Sequence, residues 1–358
     1  MFQINYIYIL ISNCFVNGEV PGLGWKKLYM LSVKDVAELA GVSVGTVSRV
    51  INNNPTVKPD TREKVLAAIE TLHYVPNEVA RNFKMQKSMI VALLLPDIAH
   101  PFFSELTSYI EDALDQQNYK MILCNSKGKP QKELYYYDIL SQNKVAGIIV
   151  ITYNNVDHPV LNKIPVIAID RHITHEISCV TSDNYNGGRM ALNELVKAGV
   201  NKPAFLGYIP DSFINASISE VELRKKGFCD AATDQGIQFD CIEIDDNDAI
   251  LNQSIDQVLQ SEALKAIDGL FINGDMLAAR FIQRAQAAHI HVPEDLKIIG
   301  FDGIKSYNWF HPYLSTIKQP IEEIARTAVR LLLQNIDGET IKRETYRLPV
   351  SFIQGETT

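Results

Sequence analysis

From Ser88 onward the chain alternates between short apolar, often β-branched runs and longer amphipathic stretches, and it does so over about 260 residues. Ile90–Leu95 is followed by Phe103–Gln116, Lys120–Cys124 by Gln131–Gln142, and Val166–Ile169 by Gly188–Ala198. Gly269–Asn273, Met276–His289, Lys297–Phe301 and Ile321–Asn335 continue the pattern. A helical crossover returns the chain to the same end of the sheet, so strands joined this way pair in parallel. The alternation predicts an α/β fold of parallel sheets covered by helices. One such sheet is usually built from about half that length, so two lobes are expected.

The segment before Ser88 has a different texture. Ser32 is placed to cap a helix whose apolar face is Val33, Val36, Ala37 and Leu39-Ala40, and Gly41 stands where that helix should stop. Ser43 caps a second helix with Val44, Val47, Val50 and Ile51. After the loop Asn52-Asn53-Asn54-Pro55, Thr61 caps a third with Val65, Leu66, Ile69 and Leu72, and Glu78 to Lys84 is a further helical run. Two short helices joined by Ala40-Gly41-Val42-Ser43 have the dimensions of a helix-turn-helix. Its second helix would enter a DNA major groove with Ser43, Val44, Gly45, Thr46, Ser48, Arg49 and Asn52 exposed. Thr46, Ser48 and Asn52 suit phosphates or bases, and Arg49 can reach a guanine edge bidentately. The bland alternative is a helical hairpin that merely packs.

Charge is divided in the same way. Residues 30–87 carry 8 Lys and Arg against 6 Asp and Glu, whereas the whole chain stands at −8. A basic head on an acidic body points to a polyanion partner for the head alone. The 46 % hydrophobic content supplies large cores and excludes a disordered chain. Cys14, Cys124, Cys179, Cys229 and Cys241 are scattered and never spaced C-x-x-C, which fits a reducing, cytoplasmic setting without disulfides or a zinc knuckle. The apolar stretch Tyr6 to Val16 is too short to span a bilayer and no Lys or Arg precedes it, so no membrane partner is expected. Residues 1–29 are read as an over-extended gene start or a floppy extension.

Ligands of open parallel sheets lie beyond the C-terminal strand ends. Asp97, Asp170, Asp275 and Asp302 each follow or end a strand-like run, well placed to accept hydrogen bonds from sugar hydroxyls. Arg224 supplies donors from the other side, and Phe102 and Phe103 can cover the apolar face of a sugar ring. Asp97 and Asp275 fit equally well as caps of the helices that follow. Rival chemistry is thin. Gly41-Val42-Ser43-Val44-Gly45 has the letters of a nucleophile elbow but follows a helix instead of a strand. His172-Ile173-Thr174-His175-Glu176 matches no zinc-binding spacing, and Asp245-Asp246-Asn247-Asp248 lacks the glycine and closing glutamate of a calcium loop. No constellation for catalysis and no cofactor or metal site is found.

The ordered block Val33-Lys34-Asp35-Val36-Ala37-Glu38-Leu39-Ala40-Gly41-Val42-Ser43, with Thr46-Val47-Ser48-Arg49-Val50-Ile51-Asn52, resembles the headpiece of the lactose/galactose repressor family (LacI/GalR). Thr61-Arg62-Glu63-Lys64-Val65 and Tyr74-Val75-Pro76-Asn77-Glu78-Val79-Ala80-Arg81 extend it. Asp97…Pro101-Phe102-Phe103, Asp183…Gly187-Gly188, Gly300-Phe301-Asp302 and Ile317-Lys318-Gln319-Pro320 carry it through the body. The resemblance implies a DNA-binding headpiece at 30–76, a hinge helix or linker at 77–87, and a two-lobed, periplasmic-binding-protein-like core at 88–358. Its first lobe is expected at about 88–182 and 318–347, its second at about 183–317 and 348–358.

It further implies that Ala80 and Phe83 meet the DNA minor groove, Phe83 standing where the family usually has a leucine wedge. Asp170, Arg224, Asp302 and Gln319 match positions lining the family's effector cleft, and Phe102-Phe103 its aromatic corner. Gly274-Asp275 departs from the family's Asn-Asp turn, with Asn273 one place early. Ala168-Ile169-Asp170-Arg171 and Ser182–Gly188 look most like sucrose-operon repressors. The implied function is repression of a sugar-utilisation operon by a homodimer on a pseudo-palindromic operator, controlled by a small sugar or sugar phosphate. A global catabolite regulator with a protein co-regulator is the alternative within the family. A periplasmic sugar-binding protein, which would have no headpiece, is the alternative outside it.

Overall fold

The computed structural model describes residues 32–51, 53–74, 88–142, 145–154, 158–173, 177–209, 220–245, 247, 249–304, 312–339 and 342–358. They fall into two compact units, divided between Gln86 and Lys87. The first contains α1 (Val33–Ala40), α2 (Val44–Ile51) and α3 (Pro59–Thr71). Ser32 and Asp35 close a reciprocal capping box at the start of α1, and Gly41 ends the helix at φ +62°. The Ser43 hydroxyl accepts from the Thr46 N–H at 3.2 Å and so caps α2. The third helix starts at Pro59, two residues before the expected cap at Thr61, because proline's fixed φ favours the first helical position.

Val36, Ala37, Ala40, Val47, Val50, Val65 and Ala68 make the core of this unit. Leu39 and Leu66, expected on the apolar faces, are 53 % and 50 % exposed. At 3.6 residues per turn each lies roughly 100° from the centre of its helix's buried stripe, and three short helices enclose only a narrow stripe. Asn52, Ala80, Phe83 and the expected helical run Glu78 to Lys84 lie outside the described residues.

The strands of the second unit are β1 (Ile90–Leu95), β2 (Lys120–Asn125), β3 (Gly147–Val150), β4 (Val166–Ile169), β5 (Ser178–Ser182), β6 (Pro203–Tyr208), β7 (Asp240–Ile244), β8 (Gly269–Ile272), β9 (Lys297–Asp302), β10 (Ser315–Lys318), β11 (Thr345–Leu348) and β12 (Ser351–Ile353). Its helices are α4 (Pro101–Asp115), α5 (Pro130–Gln142), α6 (Asn184–Lys197), α7 (Glu222–Asp234), α8 (Leu251–Gln260), α9 (Glu262–Lys265), α10 (Asp275–Ala287) and α11 (Ile321–Ile336). Two sheets result, ordered β11-β5-β4-β3-β1-β2 and β12-β10-β9-β8-β6-β7. The first is parallel throughout. The second is parallel except at β12, which runs antiparallel to β10 with Phe352 opposite Ile317.

β1 shows why these runs are apolar at every position. Val91, Leu93 and Leu95 face α4 and α11, whereas Ala92 and Leu94 face Tyr137 and Leu140 of α5. Helices cover both faces of the sheet, so neither face has a polar side to display. In each sheet the strand order reverses beside its first strand, between β1 and β3 and between β6 and β8. Crevices at the C-terminal strand ends open at such reversals.

The chain passes between the sheets three times, after Ser182, after Lys318 and after Leu348. The passages are tied to one another. Ser182 Oγ donates to Gln319 Oε1 at 2.7 Å, and the Asp183 N–H donates to the Leu348 carbonyl at 2.7 Å.

In the second lobe α6 and α7 approach with glycine at both contact points. A methyl group on Gly188 would collide with the Arg224 carbonyl, and one on Gly227 with the Tyr185 carbonyl. Backbone atoms cannot step aside as a flexible side chain can. Gly227→Ala is therefore expected to lower the unfolding free energy by about 3 kcal/mol, read as a lower urea midpoint at unchanged slope. An unchanged midpoint would show that the two helices do not meet this closely.

Candidate functional site

Strand ends from both lobes bring a buried polar cluster together. Asp170 follows β4 at φ +58° and is 7 % exposed. Its Oδ1 accepts from the Thr181 hydroxyl at 2.8 Å. Asn184, the first residue of α6, donates through Nδ2 to Thr181 Oγ1 at 3.1 Å and accepts through Oδ1 from Arg224 Nε at 2.7 Å. Arg224 Nη1 donates to the Asn273 carbonyl at 2.8 Å and lies 3.5 Å from Asp302 Oδ1. The guanidinium carbon stands 3.7 Å from the centre of the Phe301 ring, so a desolvated cation rests on an aromatic face. Asp170, Thr181, Asn184, Arg224 and Asp302 thus form one continuous chain of contacts across the two lobes.

Asp302 ends β9 at φ +122°, far from the left-handed well near +57° that a non-glycine residue normally occupies. Gln319 holds it there. The Gln319 backbone N–H donates to the Asp302 carbonyl at 3.0 Å, and Nε2 donates to Oδ1 at 2.7 Å.

The remaining expected residues take other roles. Asp275 is neither the cap of α10, a place Gly274 holds, nor free to meet a ligand. Its carboxylate accepts from the Gly303 and Ile304 N–H groups at 2.8 and 3.0 Å and from the Thr316 hydroxyl at 2.6 Å. Asp97 does not join the cluster. It accepts from the Ala99 N–H at 3.1 Å and pairs with Lys127 at 2.8 Å, an interaction that lowers its pKa. Gln319 is 1 % exposed with its amide committed to Ser182 and Asp302. Phe102 and Phe103 are 4 % and 5 % exposed within the core of the first lobe. The exposed ring at that corner is Tyr153, whose centroid lies 6.4 Å from that of Phe103.

Other buried groups were not legible in the sequence. Glu133 on α5 is fully buried and accepts from Tyr137, Thr152 and Asn154. Glu220, 2 % exposed, joins the second lobe to His172 and Arg347 of the first, each at 2.8 Å. Arg171 Nη1, Glu220 Oε2 and Asn273 Oδ1 are buried without a hydrogen-bond partner among the described residues. The one signal available beforehand was that Asn273 sits one place before the expected turn position.

In the helical unit, Gly45 and Arg49 are exposed on α2, and Thr46 and Ser48 are half-exposed. Val44, expected to be exposed, is half-buried against the core because it begins the apolar stripe. The hydrogen bond between His172 and Glu220 accounts for that residue of the His172–Glu176 stretch; His175 and Glu176 lie outside the described residues.

Burial pushes the Asp170 carboxyl up to about 6, against the Thr181 hydrogen bond and the Arg224 charge. Burial and then the Asp302 charge push Asp275 up to about 8, and burial also raises Asp302. A carboxyl whose folded pKa exceeds its unfolded value of 3.8 holds a proton that the unfolded chain releases, so its contribution to stability falls as pH rises between those values. The stability of the wild type relative to Asp170→Asn is expected to decline by up to about 3 kcal/mol from pH 4 to 6 and then level off. Urea titrations of both proteins across that range test this, and a constant difference would place Asp170 in a solvated setting.

Residues 32–77 match the model of the lacI family of bacterial regulatory proteins, and residues 192–358 match a periplasmic binding protein-like domain. A sucrose operon repressor of Streptococcus mutans is 38 % identical over 326 residues, which cover 90 % of this chain and 98 % of that protein. A crystal structure of a periplasmic binding protein/LacI transcriptional regulator from Alkaliphilus metalliredigens, complexed with D-xylulofuranose, is 34 % identical with a TM-score of 0.65. It covers 76 % of this chain and 99 % of its own. The lac repressor dimer bound to operator and the anti-inducer ONPF aligns with a TM-score of 0.79 at 26 % identity, covering 91 % of this chain and 98 % of its own. A helix-turn-helix in front of a two-lobed parallel α/β core, matched nearly end to end by such regulators, makes this chain a member of the lacI family of bacterial regulatory proteins.

Proposed function

We propose that this protein is a cytoplasmic, homodimeric repressor of a sugar-utilisation operon that responds to a small, hydroxyl-rich sugar of the sucrose or fructose type. The observation that carries the reading is the likeness to a sucrose operon repressor over 90 % of the chain, headpiece and core together. The geometry supports it. Asp170, Asp302, Arg224 and the open Asn273 Oδ1 place acceptors and donors at strand ends of the two lobes, the complement of a polyol's paired donor and acceptor hydroxyls. Buried carboxylates make a neutral sugar a better fit than its phosphate, which would bring further negative charge beside Asp170 and Asp302.

On the DNA side, Ser43, Gly45, Thr46, Ser48, Arg49 and Asn52 of the helix-turn-helix are the residues assigned to the operator, with Ala80 and Phe83 added by the family resemblance. One short recognition helix reads too few base pairs for useful specificity, so two copies about one helical turn apart are required. The sugar acts by binding one lobe arrangement better than the other. No helix among the described residues is long and apolar enough to cross a membrane.

The test is fluorescence anisotropy of the full chain on a palindromic operator fragment, with sucrose, fructose and their phosphates as separate additions. Sucrose or fructose should change operator affinity, and Asn273→Ala should raise the half-effective sugar concentration at least about tenfold, the loss of a single hydrogen bond of about 1.4 kcal/mol. Operator affinity without sugar should be unaltered in that variant. A chain that binds operator but responds to none of these ligands would overturn the sugar reading in favour of a protein co-regulator.

Arg49→Ala is expected to cost about 1–3 kcal/mol on operator and far less on random DNA. Equal losses on both would show that Arg49 contacts phosphate only.

A further inference from the structure

Cys229 on α7 and Cys241 on β7 stand with their sulfur atoms 3.6 Å apart. β7 is the outermost strand of its sheet, which leaves Cys241 exposed and Cys229 half-buried. The other described cysteines differ in kind. Cys124 and Cys179 are buried, and burial pushes both thiols up, Cys124 to about 11. The thiolate is the reactive species, so those two are chemically quiet near neutral pH.

A hydrogen bond joins the two sulfurs. The hydrogen bond from Cys229 brings Cys241 down to about 7, assisted by Lys225 and opposed by burial, Glu243 and Asp240. The same hydrogen bond holds Cys229 up, with burial and Asp230 adding to it and Lys225 opposing. Lys225 Nζ is anchored beside the pair by Glu243 at 2.5 Å. An exposed sulfur poised as thiolate, with a second sulfur within van der Waals contact as its resolving partner, is the arrangement of a reversibly oxidised dithiol.

We propose that Cys229 and Cys241 form a modification site at which a hydroperoxide produces an intramolecular disulfide that staples α7 to β7. The Cys241 thiolate attacks one oxygen of the hydroperoxide. The O–O bond breaks, the other oxygen leaves and takes up a proton as water or an alcohol, and Cys241 becomes a sulfenic acid. Cys229 Sγ then attacks Cys241 Sγ; the S–O bond breaks and the hydroxide departs as water with the Cys229 proton. Two thiols have lost two electrons and the hydroperoxide has gained them.

The sulfurs close from 3.6 Å to the S–S bond length of about 2.05 Å. The Gly188 and Gly227 contacts hold the first half of α7 against α6. The staple falls on the helix that carries Arg224, one turn and a half beyond it. The inference requires neither the sugar nor the operator.

Reduced full-length protein is treated with one equivalent of hydrogen peroxide at neutral pH, then alkylated and mapped by mass spectrometry. The expected product has lost two thiols per chain and carries a 229–241 link within one chain, reversed by a dithiol reductant. Cys229→Ser should accumulate a sulfenic acid at Cys241 that dimedone traps, and Cys241→Ser should give neither trap nor link. Wild-type oxidation should rise with pH through about 7 and then level off, following the Cys241 thiolate. The proposal fails if Cys241 proceeds to sulfinic acid without a link in the wild type. It fails equally if the disulfide joins two chains, or if Cys124 and Cys179 react as fast.

Discussion

Gln319 has both ends of its buried amide occupied, Oε1 by Ser182 and Nε2 by Asp302, and the two-lobed core depends on that pair of hydrogen bonds. Ser182 lies where the chain first leaves the first sheet and Gln319 where it returns, with the third passage tied in through Asp183 and Leu348. Three strands of chain that must bend together are thereby joined at one place. Asp302, held by the same amide at φ +122°, joins this joint to the buried polar cluster, because its carboxylate is aimed by the backbone geometry that Gln319 maintains. Truncating Gln319 would leave buried donors and acceptors unpaired on both lobes at once, a cost well above that of one surface hydrogen bond.

The same economy governs the buried charges. Arg224 is satisfied by an amide oxygen, a backbone carbonyl, an aromatic face and a carboxylate, the last two both on β9. A guanidinium can serve them together because its donors are planar and fixed in direction. Yet the cluster holds more carboxyl than cation, and Asp170, Asp275 and Asp302 are all raised by burial. Glu220, bridging to His172 and Arg347, adds a direct contact between the lobes.

In the helical unit the constraint is size. Seven small buried residues close its core, so stability rests heavily on caps and turns: the Ser32–Asp35 box, Gly41 in the left-handed region and Ser43 on the Thr46 N–H. Those devices fix where α2 begins, which sets which of its side chains are exposed. Val44 turns inward, and Gly45 and Arg49 stay exposed.

Much of this was determined by the sequence alone. Alternating apolar and amphipathic runs can satisfy their backbone and bury their apolar faces only as parallel sheets under helices, and the Ala40–Ser43 turn can only separate two short helices. The strand ends at Asp170 and Asp302 followed from where apolar runs stop. Tertiary structure decided what those residues do. Asp275 and Gln319 carry the right chemistry at the right strand ends, but their partners, Thr316, Gly303 and Ser182, lie 41, 28 and 137 residues away, so no local pattern shows that they are already occupied. Glu133, a carboxylate within an amphipathic run, is fully buried, and Cys229 and Cys241 read as unrelated until α7 packs beside β7. Periodicity reports which face is apolar, because burial repeats along the chain; hydrogen bonds between distant residues do not repeat, and only the folded chain brings them together.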